Sequence, residues 1–164
     1  MVRTGLINIA LLMSINAPAY NINAVRKLYY DAAKNSNNKE SFYEAVTTMP
    51  ENDALISGYK GIATVLMAEC VYNPYSKLSY FTKGKRQLEA AIAKDPSSVE
   101  LVFLRYCIQT NAPFFLQYNG NIETDKKMLL SRWSSLTDAD LKKRIADYMK
   151  DSKFCNSAEK KVFS

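Results

Sequence analysis

The stretch from Ser97 to Leu130, SSVELVFLRYCIQTNAPFFLQYNGNIETDKKMLL, constrains this chain more than any other part of it. It reads as an apolar helical run, a turn and a second helical start, with polar side chains crowded about the turn. Ser97 or Ser98 can cap the first helix, Glu100 lies near its positive end, and Leu101, Leu104 and Ile108 recur at helical spacing. Pro113 restricts Ala112 and ends the run near Thr110 and Asn111. Tyr118-Asn119-Gly120-Asn121 is a turn sequence, after which Asn121 can cap the next helix, with Glu123 and Asp125 in its first turns. Arg105, Gln109, Asn111, Tyr118, Asn121 and Asp125 are therefore expected at one corner. Two roles are open to them: fastening the corner, with Arg105 paired to Asp125 and the amides satisfying backbone groups, or contacting a ligand.

The pattern Arg105-x3-Gln109-x-Asn111-x-Pro113-x-Phe115-Leu116-x-Tyr118-x2-Asn121-Ile122-x2-Asp125 resembles one found in small exported proteins of the Bacteroidota, of unassigned function, over Val25 to Met149. The resemblance implies a helical fold and a periplasmic address, and it carries no activity with it.

The N-terminus reads as a secretory signal. Met1-Val2-Arg3 is a short basic start, Leu6 to Ile15 a mostly apolar core, and Ala17-Pro18-Ala19 places small residues where a signal peptidase reads. Residues 1–19 are thus expected to be a signal peptide and the mature chain to begin at Tyr20; a first helix buried in the domain is the rival reading. The apolar core is too short to span a bilayer, so no integral membrane insertion is expected after cleavage. Residues 20–152 are expected to form a single helical domain, followed by a short C-terminal segment, 153–164.

Elsewhere, apolar stripes at helical spacing alternate with polar breaks. Val25, Leu28, Tyr29 and Ala32 form one stripe; Phe42, Ala45 and Val46 a second, in a helix from Lys39 to Thr48. Asp53 can cap a third helix, with Leu55, Tyr59, Ile62, Leu66 and Cys70 on one face and Asn73-Pro74 closing it. A fourth helix, Ser76 to Lys94, is expected to turn Leu78, Phe81, Leu88 and Ile92 inward, with Gly84 on that side permitting close approach of a neighbouring backbone. The sixth, Ile122 to Ser134, is expected to leave Lys126 and Lys127 outside, and Thr137 can cap a seventh carrying Leu141, Ile145, Tyr148 and Met149. No strand-like alternation appears, and the fold class is all-α: antiparallel helical hairpins stacked as a compact bundle. Gly84, Leu88, Ala91 and Pro96 resemble the second helix of a tetratricopeptide repeat, which implies a right-handed stack of hairpins; no second copy lies in register.

Composition narrows the chemistry. The chain has no histidine, which excludes histidine-based general bases, triads and zinc ligands. Its net charge of +6 is not the footprint of a dedicated nucleic-acid binder, and no nucleic acid, metal or other cofactor is expected. Cys70 and Cys107 fall on expected helices, where buried thiols belong, whereas Cys155 is expected to be exposed; their spacing matches neither a metal knuckle nor a redox pair.

These features favour a non-catalytic peptide- or protein-binding module. Tyr72, Tyr75 and Tyr80 gather around Asn73-Pro74, with Lys77, Lys83, Lys85 and Arg86 following, and can form a groove for an acidic peptide or a C-terminal carboxylate. A structural envelope-assembly protein is the alternative, and a carboxylate-based hydrolase, drawing on Glu69, Glu100, Glu123 or Asp125, is a third reading. The partner would be a peptide or an envelope protein.

Overall fold

A computed structural model describes residues 20–51 and 53–163, and the expected signal peptide lies outside them. Side chains that accept from otherwise unpaired N–H groups set most of the helix starts. Asn21 caps α1 (Ile22–Lys34), Asp53 caps α3 (Ala54–Met67), Asn73 caps α4 (Pro74–Lys94) and Ser98 caps α5 (Val99–Asn111). Asp138 caps α7 (Ala139–Asp151), and Asn156 with Glu159 forms a reciprocal box at α8 (Ser157–Val162). Among the described α-helices only α2 (Lys39–Thr47) and α6 (Ile122–Arg132) begin without a side-chain cap. Among the described residues there is no strand, and the fold is an all-α multi-helix bundle.

Three boundaries differ from the sequence reading. α3 stops at Met67 rather than Cys70, and Asn73-Pro74 opens α4 instead of closing α3. A proline at the first helical position gives up an N–H that has no partner there anyway. Asp138, not Thr137, accepts from the Leu141 amide, at 3.0 Å. Asn121 stands at the α6 cap position, but its side-chain oxygen accepts from Gln109 Nε2 at 3.3 Å instead of from the helix.

α3 is the central helix, buried on every side from Ile56 to Leu66. α4 runs antiparallel to it, and the two backbones meet at Gly61 and Gly84, where a methyl group on either residue would collide with main-chain atoms of the other helix. The close approach expected at Gly84 is therefore real, and its partner is a second glycine. Leu78 does not turn inward; it is exposed on the outer face of α4.

Two apolar cores share one wall, α5. Leu101, Leu104 and Ile108 face the core built with α1 to α4, while Phe103, Tyr106 and Cys107 face the core built with α6, α7 and the C-terminal residues. In the second core Phe163 is buried, its ring 5.0 Å from that of Trp133. Cys155 is buried rather than exposed, its sulfur 3.8 Å from Tyr106 Oη. Lys126 is buried too, because its amine donates to Phe154 O at 2.8 Å and pairs with Glu123 and Glu159. Among the described residues no helix is long and apolar enough to cross a membrane.

Candidate functional site

The expected corner forms, with one residue lost and one gained. Arg105, on α5, grips Asp125, on α6, through two hydrogen bonds, Nε to Oδ2 at 2.8 Å and Nη2 to Oδ1 at 2.6 Å. Its remaining nitrogen, Nη1, donates to Glu89 of α4 at 2.8 Å, and Tyr118 Oη donates to the other oxygen of Glu89. Burial opposes the charge on Arg105, but the hydrogen bonds to Asp125 and Glu89 hold its pKa above the ordinary value. Burial also lifts the Asp125 pKa above the usual carboxylate value, against the pull of Arg105. The Tyr118 ring packs edge-on to Phe81 and lies 4.6 Å beneath the Lys85 amine. Gln109 and Asn121 complete this clasp of three helices and a turn. Glu89 was the missing member, and its sequence neighbourhood on α4 gives no sign of the pairing.

Asn111 belongs elsewhere. Its amide donates to Cys107 O at 2.8 Å and to Tyr148 Oη at 2.6 Å, and Thr110 Oγ1 lies 2.6 Å from the same hydroxyl. These groups stand at a cleft of about 740 Å³ between α1 and α7, whose walls include Tyr30, Arg144 and Phe154. Arg144 lies 4.3 Å over the Tyr30 ring, and the buried Tyr30 Oη has no hydrogen-bond partner among the described residues. Burial is the main cause pushing the Tyr148 pKa up to about 12, so its hydroxyl stays protonated at neutral pH. The rim mixes charges: Lys27, Lys34 and Lys153 with Asp31, Asp147 and Asp151.

A second ionic centre was not legible as one. Arg26 of α1 is 2% exposed and meets Glu100 through Nε at 2.8 Å and Nη2 at 2.6 Å. Tyr59 Oη donates to Glu100 at 2.6 Å, while Asp138, the cap of α7, and Asp140, in its first turn, also accept from Arg26. Glu100 is thus more than a helix-start charge. Arg26 follows Ile22 by four residues and precedes Tyr29 by three, which sets it on the apolar stripe of α1; that placement was the available signal.

The expected tyrosine groove is only partly assembled. Tyr75, Leu78, Lys83 and Arg86 line a shallow groove along the outside of α4, whereas Tyr72 and Lys77 are exposed beyond it, Tyr80 is half-buried and Lys85 covers Tyr118. Among the described residues no cluster of three potential metal-ligating side chains occurs. Comparison with protein-family models, with curated proteins and with solved structures returns no match.

Proposed function

We propose that this chain is an exported, non-catalytic helical module that holds a polypeptide segment of a partner protein in the cleft between α1 and α7. The observation that carries the reading is the polar wall of that cleft, where Asn111, Thr110 and Tyr148 form a hydrogen-bonded row and the buried Tyr30 hydroxyl has no partner among the described residues. Amides and neutral hydroxyls suit the alternating donors and acceptors of a peptide backbone. The volume falls within the range of about 300–1,000 Å³ usual for ligand sites. A rim bearing both signs of charge, with lysines on α1 and beyond α7, suits an acidic side chain or a terminal carboxylate. The most deeply buried acids, Glu100 and Asp125, are clamped by arginines and stand away from the cleft, which gives a hydrolase little to work with.

The periplasmic address rests on the signal-like N-terminus and on the resemblance to small exported Bacteroidota proteins. The hairpins α3–α4 and α5–α6 are read as a tetratricopeptide-like right-handed stack, supported by the Gly84-Leu88-Ala91-Pro96 spacing and the antiparallel approach at Gly61.

A random peptide library displayed against the protein tests the cleft. Selected peptides are expected to lose about tenfold or more in affinity, on the scale of an interface hot spot, with Asn111→Ala or Tyr148→Phe. They should keep their affinity with Phe114→Ser, which lies elsewhere. A library that yields no binder, or binders indifferent to both cleft substitutions, overturns the reading.

A further inference from the structure

We propose that the end of the molecule built from the α3–α4 bend and the α5–α6 turn docks on the surface of an anionic lipid bilayer. Phe114 and Phe115, at the tip of the α5–α6 turn, are 84% and 78% exposed, and Tyr72 and Tyr75, at the α3–α4 bend, are 98% and 85% exposed. Isolated exposed apolar residues are ordinary, but four aromatic rings on two adjacent chain reversals are not.

The two reversals lie at the same end. α4 begins at the α3–α4 bend, and Tyr118, just past the Phe114–Leu116 turn, packs on Phe81 of α4. Phe81 stands seven residues beyond Pro74, roughly 10 Å along the helix at its normal rise. The four exposed rings thus share one end of the molecule, spread over two chain reversals, an arrangement that a deformable headgroup layer accommodates without a matching cavity. Phenylalanine enters such a layer with its whole ring, and tyrosine places its ring at the boundary with its hydroxyl in water.

Charge selects the lipid. Residues 70–88 carry Lys77, Lys83, Lys85 and Arg86 and no carboxylate, and residues 110–122 carry no charge at all. Among the described residues none of these four cations has an ion-pair partner. The carboxylates that flank the segment are already engaged, Glu69 by Lys39 and Glu89 by Arg105. An uncompensated basic surface beside exposed aromatic rings is complementary to acidic headgroups over an apolar layer. None of the four aromatic residues and none of the four cations lines the α1–α7 cleft, so the two readings fail independently.

The test places a reporter on the tip. In the full chain, Phe114→Trp is titrated with phosphatidylcholine vesicles, with and without phosphatidylglycerol, carrying bromine on the acyl chains. The expected result is a blue shift and quenching of the new emission on anionic vesicles only, with the native Trp133 signal unchanged in the parent chain. In the same background Lys77→Glu, Lys83→Glu and Arg86→Glu together should weaken the partition by about tenfold or more. Because all the substituted side chains are exposed, circular dichroism should report an unchanged fold. Unshifted, unquenched emission with anionic vesicles overturns the proposal, as does equal quenching on phosphatidylcholine alone. So does a shift produced only by an acidic peptide or by raising the protein concentration, which would assign the surface to a protein partner or a second copy.

Discussion

The carbonyl oxygen of Gly61 lies 2.5 Å from the point where a Cβ on Gly84 would be, and the amide nitrogen of Val65 lies 2.6 Å from it. Both obstacles are main chain of α3, which cannot step aside as a flexible side chain would. Gly84→Ala must push the two helices apart or distort one of them, and overpacking of this kind costs about 1–3 kcal/mol. Thermal melts are expected to show a clear fall in midpoint for Gly84→Ala. Gly120→Ala should melt like the parent protein, because among the described residues nothing lies within 4 Å of the added methyl. Equal melts for the two variants would dismiss the close crossing.

The Arg105–Asp125 pair is expected to behave as a buried clasp, since the two side chains are only 11% and 2% exposed. Removing either partner should cost about 3–5 kcal/mol, because it leaves the other charge buried. A double-mutant cycle on Arg105→Ala and Asp125→Ala, read by urea denaturation, should give a strong coupling energy. Glu89→Gln, which keeps an acceptor at a half-exposed position, should cost far less. Coupling near zero would free these side chains for a role in binding.

Arg26 is expected to be the least replaceable charge in the protein. Lysine offers one charged centre where the guanidinium fork serves Glu100, Asp138 and Asp140 together. Arg26→Lys should therefore destabilise the fold, and Arg26→Met more so, with Glu100 left buried beside Tyr59. Adding Glu100→Met to Arg26→Met should restore much of the loss, as replacing a whole buried pair by apolar side chains often does. A double variant less stable than Arg26→Met alone would contradict this account of the centre.

Stability should fall on the acid side through α7. A hydrogen bond from Arg26 holds the Asp138 pKa below its ordinary value, and one from Arg144 does the same for Asp140. In the unfolded chain both return to about 3.8. Their stabilisation is fully present above that pH and is lost as pH falls through the lower folded values. Asp125 has the opposite sign, since its folded pKa is raised: its burial penalty is relieved on acidification. Urea midpoints measured between about pH 2 and pH 5 should decline with acid, and Asp138→Asn with Asp140→Asn should flatten the decline. An unchanged slope in that variant would move the acid sensitivity elsewhere.

What could be read in the sequence was whatever is decided within a turn or two of chain. The Asp53 cap, the Ser98 cap and the inward sides of α1, α2, α5 and α7 were legible because spacing and capping chemistry are local. The Arg105–Asp125 pair was legible because one reversal of known direction separates the two residues. What escaped depends on which distant element arrives: Glu89 completes the clasp from α4, and α7 brings Asp138 and Asp140 to Arg26 from the far end of the chain. Lys126 looked like a solvent residue because its burial is created by Phe154 and Glu159, beyond α7. At the turn after α5, the left-handed residue is Gln117, with φ of 49°, and not Gly120, so turn composition located the reversal without locating its strained position.

The placement of α5 as common wall limits how the protein can be cut or can come apart. A fragment ending after α4 would expose Gly58 and the first core where Leu101 now fills it, and a fragment beginning at α6 would lack Phe103 and Tyr106 from the second. Neither half holds a finished interior of its own. Amide hydrogens in the middle of α5 are therefore expected to exchange only when both cores open, and damage to either core is expected to lower the stability of both.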